Sequence, residues 1–411
     1  MNYLNDSIES VKKLNSQQII KEKNIKWLFD LINDNRELTR AGLVRITKLS
    51  PTTVSSLVDE LVALGLVVET GQQKTNTTGR KPIKLQISEG GRQIPVFSLN
   101  RWGIRYTLYD LYYNELETYF APHMSDQYGG FEANSENEPD SGSDYADLIY
   151  NILNEQAKKI VRDKVVAICI SSPGLFLEKE EVIAYSALRV RIFVGNSSMC
   201  FAYAEKKYLN RHNEQTQNLI YLNVTDGIGA GIVYKDEIFT GPLNTAGEVG
   251  HLSIDYAGEK CQTCGSNGCL ESNVNTRIVI ESVKQSLIES PTTLMLDLLE
   301  DSYDNLTLEM IGEAYNRGIE PVVNAVDKIA NKLFIGIYGL LCITGIPHIV
   351  IGGGIERLGS GFLNKLVWLA NGKRKNYITK DLQITYTRSG FKGDSLGIAE
   401  YLIDRAFSIS L

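Results

Sequence analysis

The chain has 411 residues, 43% hydrophobic and 22% charged, enough for two or three domains with sizeable cores. No apolar run approaches the about 20 residues that cross a bilayer, and MNYLNDSIESVKKLNSQQ at the start is too polar for a secretory leader. A cytoplasmic location without a membrane partner is therefore expected. The net charge of −7 hides an asymmetry: residues 1–90 hold 13 Lys and Arg against 10 Asp and Glu, leaving −10 for the remainder. A mildly basic head on an acidic body suits a chain whose head alone meets phosphate.

Apolar residues at Ile19, Ile20, Ile25, Leu28, Phe29 and Ile32 have helical spacing. Thr39 reads as the N-cap of a short second helix with Ala41, Leu43, Val44 and Ile46 inward. After the turn Thr47–Ser50, Ser50 is a good cap and Pro51 a good first residue for a third helix. That helix puts Val54, Leu57, Val58 and Leu61 on one face and ends at Gly65. Leu66–Thr70 and Ile83–Ile87 alternate as two strands around a basic loop, GQQKTNTTGRKP. Three helices and a basic hairpin over residues 1–90 read as a winged helix-turn-helix, a unit for double-stranded DNA. Its candidate DNA contacts are Arg40, Lys48, Ser50, Thr52, Thr53, Ser55 and Ser56 around the third helix, and Arg80 and Lys81 on the wing. The competing reading is a helical unit for protein contacts with a merely solvated Ser/Thr face.

From Pro95 strands alternate with helices, as in α/β folds. Pro95–Leu111 reads as a hairpin, the acidic stretch 124–144 as a loop, and Asp147–Ile160 as a helix. Val165–Ser171, Leu219–Val224 and His348–Ile351 read as buried strands. The second of these runs into Asp226-Gly-Ile-Gly-Ala-Gly231, and the third into Gly352-Gly-Gly354. Such glycines either let a backbone approach phosphate or sugar, or only allow tight turns.

His251, Cys261, Cys264 and Cys269 are spaced H-x9-C-x2-C-x4-C. Three thiolates and an imidazole complete a tetrahedral zinc shell with no place for water, so the expected cofactor is structural zinc. The alternatives are metal-free reduced thiols and a redox pair at Cys261/Cys264. Cys169, Cys200 and Cys342 have apolar neighbours in sequence and are expected in the core.

LTRAGLVRITKLSPTTVSSLVDELVALGLV, GRKP, GIGAGIV, GEVGH and CGSNGCLE together resemble the ROK family (repressors, open reading frames and kinases), in particular its xylose-repressor-like regulators. The resemblance spans nearly the whole chain. It implies an α/β chain: an N-terminal winged helix-turn-helix followed by a two-lobed actin-like ATPase fold. One lobe is expected over 91–195, completed by the C-terminal helix 393–411. The other, over 196–392, is expected to carry the zinc and the dimerisation helices. It also implies a sugar effector in the cleft, facing Asn196, Glu248, His251 and Glu271. The plainer alternative makes Glu248 and Glu271 exposed turn residues.

Two departures from the family bear on chemistry. Family kinases carry an Asn-Asp pair whose Asp is the base; here Asn196 is followed by Ser197, whose hydroxyl cannot take that proton near neutrality. Ser98 stands where the first phosphate loop's Asp is expected, and the Gly-Gly-Thr run is missing. The Gly174–Val194 segment, which in the family closes over the sugar, is also short. The expectation is a regulator without catalysis: a homodimeric or tetrameric repressor of carbohydrate-utilisation genes on operator DNA. The competing expectations are a sugar kinase with an accessory head and a regulator that senses a partner protein.

Overall fold

Three helices open a computed structural model of the protein: α1 (Ser16–Asp34), α2 (Arg40–Thr47) and α3 (Pro51–Ala63). The structure describes residues 16–72, 83–89, 92–100, 103–122, 165–173, 192–292, 305–372, 380–390 and 392–406. Arg80 and Lys81, the 124–144 stretch, the helix expected over 147–160 and most of the Gly174–Val194 segment lie outside the described residues.

The caps explain why the first helices break where they do. Thr39 Oγ1 accepts the Gly42 N–H at 3.1 Å, and Ser50 Oγ accepts the Thr53 N–H at 3.0 Å. Pro51 occupies the first turn of α3, where its missing N–H costs nothing. Gly65 follows the helix at φ +69°, a conformation that favours glycine. Leu28, Phe29 and Ile32 of α1, Leu43 of α2 and Val54, Val58 and Leu61 of α3 are buried, with α1 and α2 both against α3. Ala41 and Ile46 are exposed, contrary to expectation: the two-turn α2 buries only a narrow stripe, Gly42, Leu43 and Thr47. Strands β1 (Val67–Gln72) and β2 (Ile83–Ile87) follow as an antiparallel pair with Glu69 opposite Leu85.

Strands β3 (Gln93–Asn100), β4 (Gly103–Asp110), β5 (Glu115–Pro122), β6 (Ile168–Ser172) and β7 (Ile192–Asn196) form one sheet in the order β5-β4-β3-β6-β7. Its core holds Phe97, Ile104, Tyr106, Ile168 and Ile170. Helix α4 (Ser197–Arg211) leads on to β8 (Leu219–Val224), β9 (Ile228–Tyr234) and β10 (Glu237–Ile238). A one-turn 3-10 helix (Val249–His251) precedes α5 (Leu270–Asn273), α6 (Thr276–Glu289), α7 (Leu308–Asn316) and α8 (Glu320–Thr344). The chain then gives β11 (His348–Gly352), α9 (Gly359–Gly372), β12 (Gln383–Tyr386) and α10 (Gly393–Ala406). The second sheet runs β10-β9-β8-β11-β12, with β8 antiparallel to β9 and parallel to β11. Each sheet thus adds two later strands to an antiparallel trio. All six residues of β8 are buried, as for a strand covered on both faces.

By contacts the chain divides into two units. One takes Met1–Ile170, Phe176–Val194 and Ile398–Leu411; the other takes Ser171–Leu175 and Gly195–Gly397. Helix α10 therefore begins in one unit and ends in the other. The second unit's core joins Ile220 and Leu222 of β8 and Ile349 and Ile351 of β11 to Val283 of α6 and Leu333 and Ile337 of α8. Buried Glu205 of α4 accepts the N–H groups of Arg388 at 3.1 Å and Ser389 at 3.0 Å, which fastens α4 to the chain leaving β12. Among the described helices none is long and apolar enough to cross a membrane.

Candidate metal centre and nucleic-acid interface

The loop between the Val249–His251 turn and α5 gathers His251, Cys261, Cys264 and Cys269. Their ligand atoms all lie within 4.8 Å of one another. Cys264 Sγ is 3.5 Å from Cys269 Sγ, and Cys261 Sγ is 3.8 Å from His251 Nδ1. The edges of a tetrahedron of thiolates around a metal are about 3.8 Å long, so the set fits one ion. Local backbone bonds make the loop. The Cys261 N–H reaches Ser266 O at 2.7 Å, and the Gly265 N–H reaches Cys261 O at 2.9 Å. Gly268 sits at φ +63°, and a Cβ there would fall 1.6 Å from the Asp255 carbonyl oxygen, so only glycine closes the turn. Hydrogen bonds from Ser266 lower the Cys264 thiol to about 7, whereas burial raises the Cys269 thiol to about 12. Of the other cysteines, Cys169 and Cys200 are buried as expected, but Cys342 is exposed. It lies two residues before the end of α8, next to Ile343, which is exposed too.

The four residues expected to face an effector are largely engaged with the protein. Glu271 Oε2 accepts the Ile228 N–H at 2.9 Å, and its Oε1 accepts the Thr263 hydroxyl at 3.4 Å. The carboxylate thus joins the glycine turn before β9 to the cysteine loop. Asn196 caps α4, its Oδ1 accepting the N–H groups of Ser198 at 2.9 Å and Met199 at 3.4 Å. Half-buried Glu248 is held above the ordinary carboxylate range by burial, opposed by His251 and reinforced by Glu271. His251 turns Nδ1 toward the thiols. Gly229 and Gly231 lie within β9 rather than at its mouth. A Cβ on Gly231 would meet Ser198 O at 2.1 Å and the Ala202 methyl at 2.6 Å, so the glycine lets α4 press on the strand. Close packing accounts for this glycine.

A groove of about 1010 Å³ opens beside the cysteine loop, lined among others by Thr263, Glu271, Asn275, Lys328 and Lys332. Its residues come from the turn before β9, the cysteine loop, α5, α6 and α8, so no single stretch of sequence announced it. Of the four effector candidates, Glu271 lines it.

In the head, α3 exposes Thr52 and Ser56 and half-exposes Thr53 and Ser55, with Lys48 and Ser50 exposed in the preceding turn. The Ser50 hydroxyl meets both Thr52 Oγ1 and Thr53 Oγ1 at 2.8 Å, a hydroxyl cluster at the N-terminus of α3. Arg40 is used differently. Its Nη1 donates to Ser55 O at 3.0 Å and Ser55 Oγ at 2.9 Å, its Nη2 meets Asp59 at 2.6 Å, and its Nε meets Glu69 at 3.0 Å. It braces α2, α3 and β1. Ser98 is buried on β3 with no partner for Oγ among the described residues, and Ser197 is the buried first residue of α4. Neither position offers a carboxylate.

Residues 184–387 match the sequence profile of the ROK family. Over 378 residues the chain is 26% identical to the xylose repressor of Caldicellulosiruptor bescii, covering 86% of this chain and 88% of that protein. A crystal structure of a ROK family transcriptional regulator, a homolog of the E. coli MLC protein, superposes with a TM-score of 0.73 at 22% identity, over 94% of this chain and 96% of that one. A ROK family glucokinase from Streptomyces griseus, solved with glucose and AMPPNP, superposes with a TM-score of 0.60 at 18% identity, over 75% of this chain and 98% of its own.

Proposed function

Because this chain carries a ROK family domain, we propose that it is a sugar-responsive transcriptional repressor that binds operator DNA through residues 1–90. The observation that carries the reading is the capped α3 with its exposed hydroxyl cluster, set in a three-helix head ahead of the ROK body. The two superpositions point the same way, since the regulator spans 94% of the chain and the glucokinase 75%. In this reading α3 lies in a major groove. Its hydroxyls, with Lys48, contact bases and phosphates, and the β1–β2 wing brings Arg80 and Lys81 to the backbone. Arg40 serves the head's internal order.

The body binds without phosphorylating. Ser98 and Ser197 replace the two carboxylates that phosphoryl transfer needs, so a bound carbohydrate keeps its hydroxyl proton. Glu248 and the groove beside Glu271 contribute polar groups to its binding. The ion suited to His251, Cys261, Cys264 and Cys269 is zinc, and three thiolates with one imidazole make it structural. When bound, it supplies a fixed loop. The protein's own part is to orient the His251 ring and hold Glu271 against Ile228. The protein acts in the cytoplasm as a homodimer or tetramer, two heads meeting two half-sites about one helical turn, or a multiple of it, apart.

The test is footprinting of the full chain on the DNA upstream of its own gene and adjacent carbohydrate genes, at low salt. A protected pair of half-sites, weakened by one sugar in a panel, is expected. No protected site, or ATP-dependent phosphorylation of a hexose or pentose, would overturn the reading.

A further inference from the structure

The three-helix head and the first sheet belong to one unit, and one side chain spans them. Arg92, just before β3, donates through Nε to the Leu64 carbonyl at 3.0 Å and through Nη1 to the Val165 carbonyl at 3.1 Å. Leu64 is the C-cap of α3. A helix C-terminus carries the negative end of the helix dipole and unfilled carbonyls, so a guanidinium there is favoured on both counts. Val165 is itself fixed to the sheet, because the Val166 N–H donates to Gln93 O at 3.0 Å and Gln93 bridges Val165 in parallel. The planar guanidinium holds the two carbonyls at a set spacing, which a lysine ammonium on a flexible stem cannot do.

Two further ties act on the other parts of the head. Lys26 of α1 meets Asp404 of α10 at 3.1 Å, with the two side chains 28% and 11% exposed, and so is less screened by salt than a surface pair. The Arg36 guanidinium lies 4.5 Å from the centre of the Tyr112 ring, and the Tyr112 hydroxyl donates to Ile87 O of β2 at 3.4 Å. Helix α1, helix α3 and the wing strand are each held by a residue of the body.

We propose that Arg92 is a positioning residue for DNA recognition: it makes α3 a rigid projection of the first sheet, so the body aims the reading helix. The consequence for DNA rests on the repressor reading above; the rigidity does not. A linker that let the head swing would leave each head free to find its half-site unaided by the body. A clamped head allows only the placement that the body dictates, and a change in the body is delivered to α3 without slack.

The test uses the full chain with a fluorophore on a non-natural residue at exposed Lys23, and a duplex enriched from a random pool by the wild-type protein. Wild type should show one slow anisotropy decay, that of the whole molecule. R92A should add a fast component and lose about tenfold or more in affinity for the duplex, while the helices of the head stay folded, as read by hydrogen exchange. R92K should resemble R92A, since it keeps the charge and loses the fork; it also gives the readout should R92A fail to fold. A wild-type decay and affinity in R92A would overturn the proposal. Full recovery in R92K would do so as well, by assigning the effect to charge alone. Should the wild type enrich no duplex, the repressor reading fails, and the decays alone decide whether Arg92 clamps the head.

Discussion

Arg40 and Glu271 show how a side chain read as a contact for a ligand becomes a brace. Both are charged, both lie beside motif residues, and sequence offers no way to see their partners in advance. Asp59 and Glu69 stand 19 and 29 positions beyond Arg40, and the Ile228 N–H lies 43 positions before Glu271. Arg40→Ala should therefore lower head stability by about 1 kcal/mol, since its carboxylate partners are exposed, as read from the melting of an isolated head or by hydrogen exchange of α3 in the full chain. Its effect on the salt dependence of DNA binding should be slight, whereas loss of a phosphate contact would reduce the slope by about one unit. The cysteine cluster was legible for the opposite reason. Its three thiols fall within nine residues, and glycines at 265 and 268 mark the turns between them.

At the scale of elements, caps, the proline at the start of α3 and apolar spacing placed the first three helices and the buried strands β8 and β11. What the pattern could not supply was the reason for glycine in β9. A glycine after a strand reads as a turn, and only the neighbouring helix reveals that Gly231 permits contact with α4. Gly231→Ala should cost about 1–3 kcal/mol, because backbone on the far side must move, and the loss should appear as a lower melting temperature of the body with the head's exchange unchanged. The cysteine loop makes a second prediction at this scale. Metal must displace protons from the thiols, above all from buried Cys269, so affinity should rise with pH, as measured by competition with a chelating dye between about pH 6 and 8. Removal of the metal should loosen Cys261–Cys269, release Glu271 from Thr263, and melt the body earlier. An affinity flat in pH would count against thiolate ligation.

For the whole molecule, charge asymmetry and alternation of strands and helices indicated a basic head on an α/β body. They did not indicate that the head would share a unit with the body's first sheet. The residues responsible, Lys26, Arg92, Val165 and Asp404, carry no motif and gain meaning only when the chain is folded.

The partnership of Lys26 with Asp404 also sets an order of events at the ribosome. Helix α1 is made well before α10. At about 5–20 residues per second, the lysine waits roughly 20–75 seconds for its aspartate. In that interval the caps of the head and the Arg92 link to Val165 are already available, so α3 can be set against the first sheet before α1 gains its tie to α10. A product that ended ahead of α10 would keep the Arg92 link between α3 and the first sheet and lack the tie of α1 to α10. On the repressor proposal, such a fragment would still compete with the intact protein for its sites, with α1 less firmly held.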